Sequence, residues 1–450
     1  MQQLLAGFGR MDITPMLGIP VEGYYEPRYA EAVLDSLEVN ALALAGGGEQ
    51  VVLLTVDLCG IKRSLSSQLR TAVAQAVGLP AEAVHLHATH THTGPVTALH
   101  TGETLVDEYI AFLQHRLIDA TRQAMADLKP AKMGWGVGNA PGIAFVRRFR
   151  MRDGSIRTNP GVDNPDIVEP VGQVDERVNV VRFDQEQGSS LVLINFADHP
   201  DTVGGCKISG DWPSFARRTV EKALDNTKCI FFNGAQGDVN HVNVHPKGGD
   251  LNGMFMDFDD VSRGYDHARY MGRVVAGAVL QVYDKVAWTE AHTVRCLWQS
   301  VEVPSNMPSK EQLPQARHIH QLHSQGRDAE LPYKGMMLTT MVAEAQRMLN
   351  LEHGPESFTM ELAGVAIGNI ALLCVPGEAF TELGRSAKQA PGWDLVLPCG
   401  LTNGFEGYFP TMDAYEQGGY EAKSSPFKAG VLELLLAESL QLLDRLQNRM

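Results

Sequence analysis

Four short polar segments hold most of the residues that could do chemistry. The first, His90-Thr91-His92-Thr93-Gly94-Pro95, follows an apolar run from Val84 to Thr89. If that run continues as an extended strand, His90 and His92 point to one side, because strand side chains repeat every two residues. Two neighbouring imidazoles suit a metal such as zinc, which takes nitrogen ligands in tetrahedral geometry; a hydrogen-bonded turn would use the same residues. The second segment, Asn195-Phe196-Ala197-Asp198-His199-Pro200, supplies a third imidazole past another strand end, where a lone histidine serves equally well as a structural hydrogen-bonder. The third, Asn233-Gly234-Ala235-Gln236-Gly237-Asp238-Val239-Asn240-His241, has glycines that permit close backbone approach to a ligand. Asp238, Asn240 or His241 could reach that ligand, or Asp238 could simply cap a turn. The fourth, Val375-Pro376-Gly377-Glu378, puts a carboxylate between a strand and a helix, where it either caps the helix or ligates a metal. Downstream, Gly407 to Thr411 and Tyr415 to Tyr420 place tyrosines in a glycine-rich loop, a setting in which they ordinarily pack or hydrogen-bond.

The surrounding sequence predicts the scaffold. Runs from Val39 to Leu44 and from Val51 to Val56, separated by Gly46 to Gly48, read as a hairpin or adjacent strands. Helical spacing covers Leu65 to Val77 and Val106 to Leu128. Asn139 to Gly172, rich in Gly, Pro, Asn and Asp and carrying Arg147, Arg148, Arg150 and Arg152, reads as a long loop. Val178 to Phe183 and Leu191 to Phe196 predict paired strands, Ser214 to Leu224 a helix and Cys229 to Phe232 a buried strand. A polar stretch from Asn240 to Tyr265 precedes a helix from about Ala268 to Tyr283 and a strand from His292 to Val303. The Pro304 to Pro314 stretch marks an insertion boundary. With helices over Gln315 to Gln325 and Met337 to Leu349, a helical insertion is expected over 304–351. Strands Met360 to Ala366 and Ile370 to Val375, a helix from Phe380 to Lys388 and an amphipathic helix from Ala429 to Arg445 complete the chain. Strand ends repeatedly meet polar, glycine-containing turns, as in an α/β scaffold that presents a site on loops.

Composition narrows the class. The 450 residues are 44% hydrophobic and 20% charged, which is ordinary for a globular protein. A formal charge of −15 disfavours nucleic acid and anionic membrane surfaces as partners. The six cysteines show no paired spacing, so they predict neither a thiolate metal knuckle nor a disulfide framework. No signal peptide and no apolar stretch of roughly 20 residues is found, so a cytoplasmic protein without stable membrane association is expected. A homo-oligomer is left open.

In order, AGFGRMDITP, THTHTGP, NFADHP followed by ISGDWP, the NGAQGDVN turn, VPGE, and GYFPT with its trailing GGYE resemble the catalytic domain of the neutral, non-lysosomal ceramidases and their shorter bacterial relatives. The likeness runs from near residue 5 to about residue 427. It implies a layered mixed-sheet α/β domain spanning 1–450, without the C-terminal immunoglobulin-like domain of full ceramidases. It also implies one zinc ion held by His90, His199, Glu378 and Tyr408. His92 would shuttle a proton or hydrogen-bond the transition state, and Tyr420 would stabilise an oxyanion. Arg147 or Arg148 would face the substrate pocket, while Asp211 and Asp238 would orient ligands. Two departures stand out: Asn240 occupies the place of a family serine and continues as His241-Val242-Asn243, and the chain stops after one helix. The first bears on any mechanism that needs that hydroxyl and leaves a zinc-water mechanism intact; the second, with the acidic charge and the expected cytoplasmic location, points away from ceramide in a bilayer. The expected activity is hydrolysis of an amide in a small soluble molecule by zinc-activated water. Ester, lactone or carbohydrate-derived substrates, or a metabolite-binding relative without turnover, are the alternatives.

Overall fold

A computed structural model describes residues 3–98, 102–248 and 264–448. Its centre is a nine-stranded mixed sheet whose main path runs Thr227–Asn233, Ser190–Phe196, Arg177–Gln185, Lys129–Asn139, Leu5–Asp12, Glu38–Gly46, Glu49–Val56, Val84–Ala88. The expected hairpin is present: Gly46 pairs with Glu49, and Gly47 and Gly48 both take positive φ, the backbone that matches strand twist in a two-residue turn. Alternation then sorts the side chains. Val39, Ala41, Val52 and Leu54 pack under the helices Arg63–Val77 and Thr104–Ala126, while Leu42, Leu44, Val51 and Leu53 face the opposite way.

That opposite face is covered by a second, four-stranded sheet of Val294–Pro304, Ser357–Ile367, Ile370–Cys374 and Leu395–Cys399. Val365, Ile367, Ile370, Leu372 and Leu397 join the core of Leu42 and Leu53. The outer face of the second sheet carries the helices Thr381–Ala387 and Val431–Gln447, and helices Asp211–Ala223 and Tyr265–Tyr283 complete the layer over the first. The order is helix, sheet, sheet, helix: the layered mixed-sheet α/β architecture expected from the sequence.

Three strand–helix–strand units carry the polar segments that could do chemistry. Glu49–Val56 and Val84–Ala88 are parallel and joined through Arg63–Val77; Ser190–Phe196 and Thr227–Asn233 through Asp211–Ala223; Ile370–Cys374 and Leu395–Cys399 through Thr381–Ala387. Parallel neighbours require such crossovers, and in open α/β sheets ligands bind beyond the carboxyl ends of the strands.

The structure departs from the sequence reading in several places. The stretch 139–172 is not a plain loop: Arg148–Met151, Ile156–Thr158 and Ile167–Pro170 form a small sheet, and Phe145–Val146 pairs with Val239–Asn240. Local pairing satisfies backbone groups there without an apolar pattern to announce it. Leu5–Asp12 and Lys129–Asn139 are full strands whose glycines hid them. A Cβ on Gly9 would lie 2.0 Å from Ala120 O, and one on Gly138 2.5 Å from Ala278 O, so these glycines let helices rest directly on the sheet. The tyrosine-rich loop contains the short helices Met412–Gln417 and Tyr420–Ser424. Within 304–351, helices Leu313–Ser324 and Met336–Asn350 pack on each other through Ala316, Ile319, Leu322, Val342, Ala345 and Met348. Most of the polar stretch after Asn240 lies outside the described residues.

Candidate metal centre and its cavity

The outermost strands of the long sheet curl round until they touch. Asn233 N–H donates to His87 Nε2 at 2.9 Å, and the His87 ring lies 4.9 Å from that of Phe232. The Asn233 side-chain amide then donates to Thr89 O (3.2 Å) and Asp198 O (2.9 Å). One buried asparagine thus ties together the segments that carry His90 and His199.

The strand Val84–Ala88 ends before His90, which takes φ 80°, so the two histidines of the first motif are brought together by a turn and not by strand alternation. Their Nε2 atoms are 3.3 Å apart. The turn is held by His90 N–H on Leu58 O and His92 N–H on Pro200 O. Glu378 arrives from the third unit, where Glu378–Ala379 pairs in parallel with Tyr408–Phe409 and places Glu378 directly beside Tyr408.

Hydrogen bonding fixes the tautomers. His90 Nδ1 lies 2.6 Å from Cys59 O, and His199 Nδ1 lies 2.8 and 2.9 Å from Gln236 O and Val239 O. Carbonyls only accept, so both Nδ1 atoms carry hydrogen and both neutral rings turn a lone pair outward from Nε2. Those lone pairs meet Glu378 Oε2 at 3.2 and 2.9 Å. A carboxylate also only accepts. Three acceptors converging in a buried place repel one another unless a cation stands among them. His90, His199 and Glu378 are all buried, and their donor atoms lie within 4.8 Å of one another. Histidines anchored by Nδ1–H to backbone carbonyls are the usual arrangement of metal ligands. The donor set of two imidazoles and a carboxylate therefore fits a divalent metal.

Without a metal, a proton takes the cation's place. Burial alone would lower His90, but Glu378 and Cys59 hold it well above the ordinary histidine range. Burial would raise Glu378, yet His90 and His199 keep it well below the usual carboxylate value. Cys59, His90 and His92 form a second group of suitable types. It is the weaker candidate: His90 Nδ1 is already spent on Cys59 O, and burial pushes the Cys59 thiol up and keeps it protonated.

Around this centre lie the remaining candidates. The Tyr408 ring is near-parallel to that of His199 at 6.4 Å, and its phenol is driven well above its ordinary value by burial and Glu378, against the pull of Arg147. Arg147 donates to Glu421 Oε1 (2.7 Å) and Gly237 O (2.7 Å) while its guanidinium lies over Tyr408. Arg148 turns elsewhere, to Gln417 Oε1 and Gly418 O. Of the two arginines, Arg147 reaches the cavity. The Tyr420 ring meets Tyr408 edge-on at 5.6 Å, and its hydroxyl lies 3.4 Å from that of Tyr25. His92 Nδ1 is 3.6 Å from Asp201 Oδ1, which accepts from Tyr24 at 2.5 Å. Burial, partly opposed by Asp201, lowers His92 to about 3, so its imidazole is neutral near pH 7.

A cavity of about 390 Å³ opens onto His92, Arg147, Tyr408 and Tyr420. A larger and more open hollow of about 660 Å³, bordered by Ile156, Pro160 and Thr340, reaches none of the four expected ligands.

The other sequence candidates are occupied structurally. Asp211 accepts from Thr202 N, Val203 N and Trp212 N, and Trp212 Nε1 in turn donates to His199 O; Asp211 thus shapes the loop that carries His199. Asp238 accepts from the Thr381 backbone and hydroxyl at the start of the helix that follows Glu378. Asn240 donates to Asn159 Oδ1 and accepts from Val242 N, and neither it nor His241 borders the 390 Å³ cavity. His241 packs near the ring of His267 at 6.1 Å. The sequence reading gave no role to Cys59, Asn233, Asp201, Tyr24, Tyr25 or Glu421. Glu421 closes the GGYE segment and Asp201 directly follows the second motif; their charge beside motif residues was the available signal.

The layered mixed-sheet architecture is the neutral ceramidase fold. Neutral ceramidase from Pseudomonas aeruginosa superposes with a TM-score of 0.74 at 17% identity, covering 100% of this chain and 75% of the other. A ceramidase complexed with C2 gives a TM-score of 0.72, also at 17% identity, covering 100% and 76%. No family model and no curated protein matches the chain.

Proposed function

We propose that the chain is a zinc-dependent amidohydrolase of ceramidase type that acts on a small soluble amide. The observation that carries this reading is the convergence of the His90 and His199 lone pairs on Glu378, with both rings anchored through Nδ1. His90 Nε2, His199 Nε2 and a Glu378 oxygen are the atoms that would hold the metal, with the Tyr408 hydroxyl as the fourth ligand implied by the ceramidase resemblance. A bound zinc ion supplies Lewis acidity toward a substrate carbonyl and toward water.

The chain's own residues supply the rest. His92, 3.3 Å from His90 Nε2 and with Asp201 beside its Nδ1, would take a proton from the attacking water and return it to the departing amine, Asp201 stabilising the imidazolium against the burial that disfavours it. Tyr420 donates its hydroxyl to the developing oxyanion, a role for which a phenol that stays protonated is suited; burial and Tyr25 hold it well above its ordinary value. Arg147 is locked by Glu421 and keeps Tyr408 in place. Asp211 and Asp238 position the His199 and Glu378 segments.

Among the described residues no helix is long and apolar enough to cross a membrane. The acidic charge disfavours an anionic membrane surface, and the proposal places the enzyme in the cytoplasm without stable membrane association. The test is hydrolysis of a panel of short N-acyl amides by the zinc-loaded chain, with chelated protein and matched esters alongside. Chelator-sensitive amide cleavage is expected; cleavage that survives complete metal removal contradicts the proposal.

A further inference from the structure

The cavity has a wall that does not come from the ceramidase-like motifs. The helices Leu313–Ser324 and Met336–Asn350, with the turn between them, contribute His323, Asp328, Met336, Leu338 and Val342 to the space that His92 and Tyr420 border. His323 Nδ1 lies 3.0 and 3.1 Å from the two Asp328 oxygens, and both side chains are partly open, at 19% and 27% exposure. A carboxylate has about four lone-pair sites, and one shared N–H leaves Asp328 able to accept again.

The two arginines that border this cavity are each hydrogen-bonded to protein acceptors, although Arg28 Nε is left without one. Arg28 donates to Gly205 O, Glu22 O and His92 O, and Arg147 to Glu421 and Gly237 O. The bordering carboxylates are Glu26, Asp201 and Asp328. Such a wall receives donors better than it receives a second anion. Met336, Leu338 and Val342 offer apolar contact for a short carbon skeleton. The volume, about 390 Å³, is near the lower end of the roughly 300–1,000 Å³ typical of ligand sites.

We propose that this helical hairpin sets substrate choice, and that Asp328, positioned by His323, binds a hydrogen-bond-donating group on the part of a compact substrate remote from the scissile amide. The inference rests on the amidase reading for what is cleaved, but not for what binds. The shared chemistry is a donor, either hydroxyl or ammonium.

The test uses the zinc-loaded 450-residue chain and three N-acetyl compounds of matched length: one ending in hydroxyls, one in an ammonium group, one in plain alkyl. A hydrogen bond to a charged group is among the stronger ones, and a preference of about tenfold or more in kcat/KM for a donor-ending substrate over the alkyl one is expected. D328N and H323A should shrink that ratio several-fold, while E330Q, on the same turn but outside the cavity, should keep it. Calorimetric binding of the corresponding free amines gives the same comparison without turnover. Donor preference in binding that depends on Asp328, with no amide cleaved, supports the wall and overturns the amidase reading. No preference for a donor, or equal loss on all three compounds in D328N, overturns the wall.

Discussion

Replacing Glu378 by Gln separates metal binding from folding. Glu378 is the only carboxylate in the converging set, 2.9 Å from His199 Nε2 and 3.2 Å from His90 Nε2. Gln keeps the shape but removes the charge, and its NH₂ can donate to the two imidazole nitrogens. The chain without metal should therefore fold about as well as the unaltered one. Metal affinity should not survive. Removing one partner of a buried charged pair costs about 3–5 kcal/mol, which at ~1.4 kcal/mol per decade is a loss of roughly two to three and a half decades in Kd. Thermal unfolding reads both effects. At a free zinc concentration of about 100 Kd, binding stabilises the native state by about 2.7 kcal/mol. A 450-residue chain has an unfolding entropy near 0.9 kcal/mol/K at about 2.1 cal/mol/K per residue, so zinc should raise Tm of the unaltered chain by about 3 °C. At that zinc concentration the E378Q shift should be below about 0.5 °C. An E378Q chain that binds zinc as tightly as the original would overturn this assignment, because Glu378 would then not face the ion.

Other perturbations reach the supports of the site. Burial raises Asp211 to about 7, so in the window from about 4 to 7 the native state holds a proton that the unfolded chain has released. Stability should therefore fall as pH rises through that window, by roughly 4 kcal/mol for about three pH units; chemical denaturation against pH should show this slope in the original chain and its loss in D211N, and a flat original profile would contradict it. Asn233→Ala strands the buried Thr89 and Asp198 carbonyls, so denaturation should show a loss of about 2–4 kcal/mol. Zinc titration of the same variant should show affinity about 10–100-fold weaker, and unchanged affinity would deny Asn233 its tying role. Glu421→Gln unpairs the buried Arg147 and should cost about 3–5 kcal/mol of stability in the same denaturation assay; a loss below about 1 kcal/mol would show that Arg147 finds another partner.

The elements that read clearly from the sequence are those with one period and one environment. The hairpin around Gly46 to Gly48, the helices under Leu65 to Val77 and Val106 to Leu128, and the paired strands at Val178 and Leu191 appear within a few residues of where the apolar pattern sets them. Strands whose inner residues are glycine did not, because Gly9 and Gly138 trade side-chain burial for direct contact with a helix. The meander within 139–172 is held by backbone pairing among polar residues and gives no hydrophobic signal. For the site, residue types and order suggested which side chains belong together, but the sequence could not say how. His90 and His92 are adjacent through a left-handed residue, and His90 meets His199 because the outer strands of one sheet close on each other at His87 and Asn233. Such long-range closure leaves no local pattern.

The hydrolase reading depends on His90, His199 and Glu378 holding a divalent metal; binding at the Asp328 wall does not. Elemental analysis of the 450-residue chain, purified without chelator and then gel-filtered after exposure to excess zinc, tests the metal assignment most directly. One tightly retained divalent ion per chain is expected, lost in H199A. A folded chain that retains no metal, or retains one equally well in H199A, would contradict it.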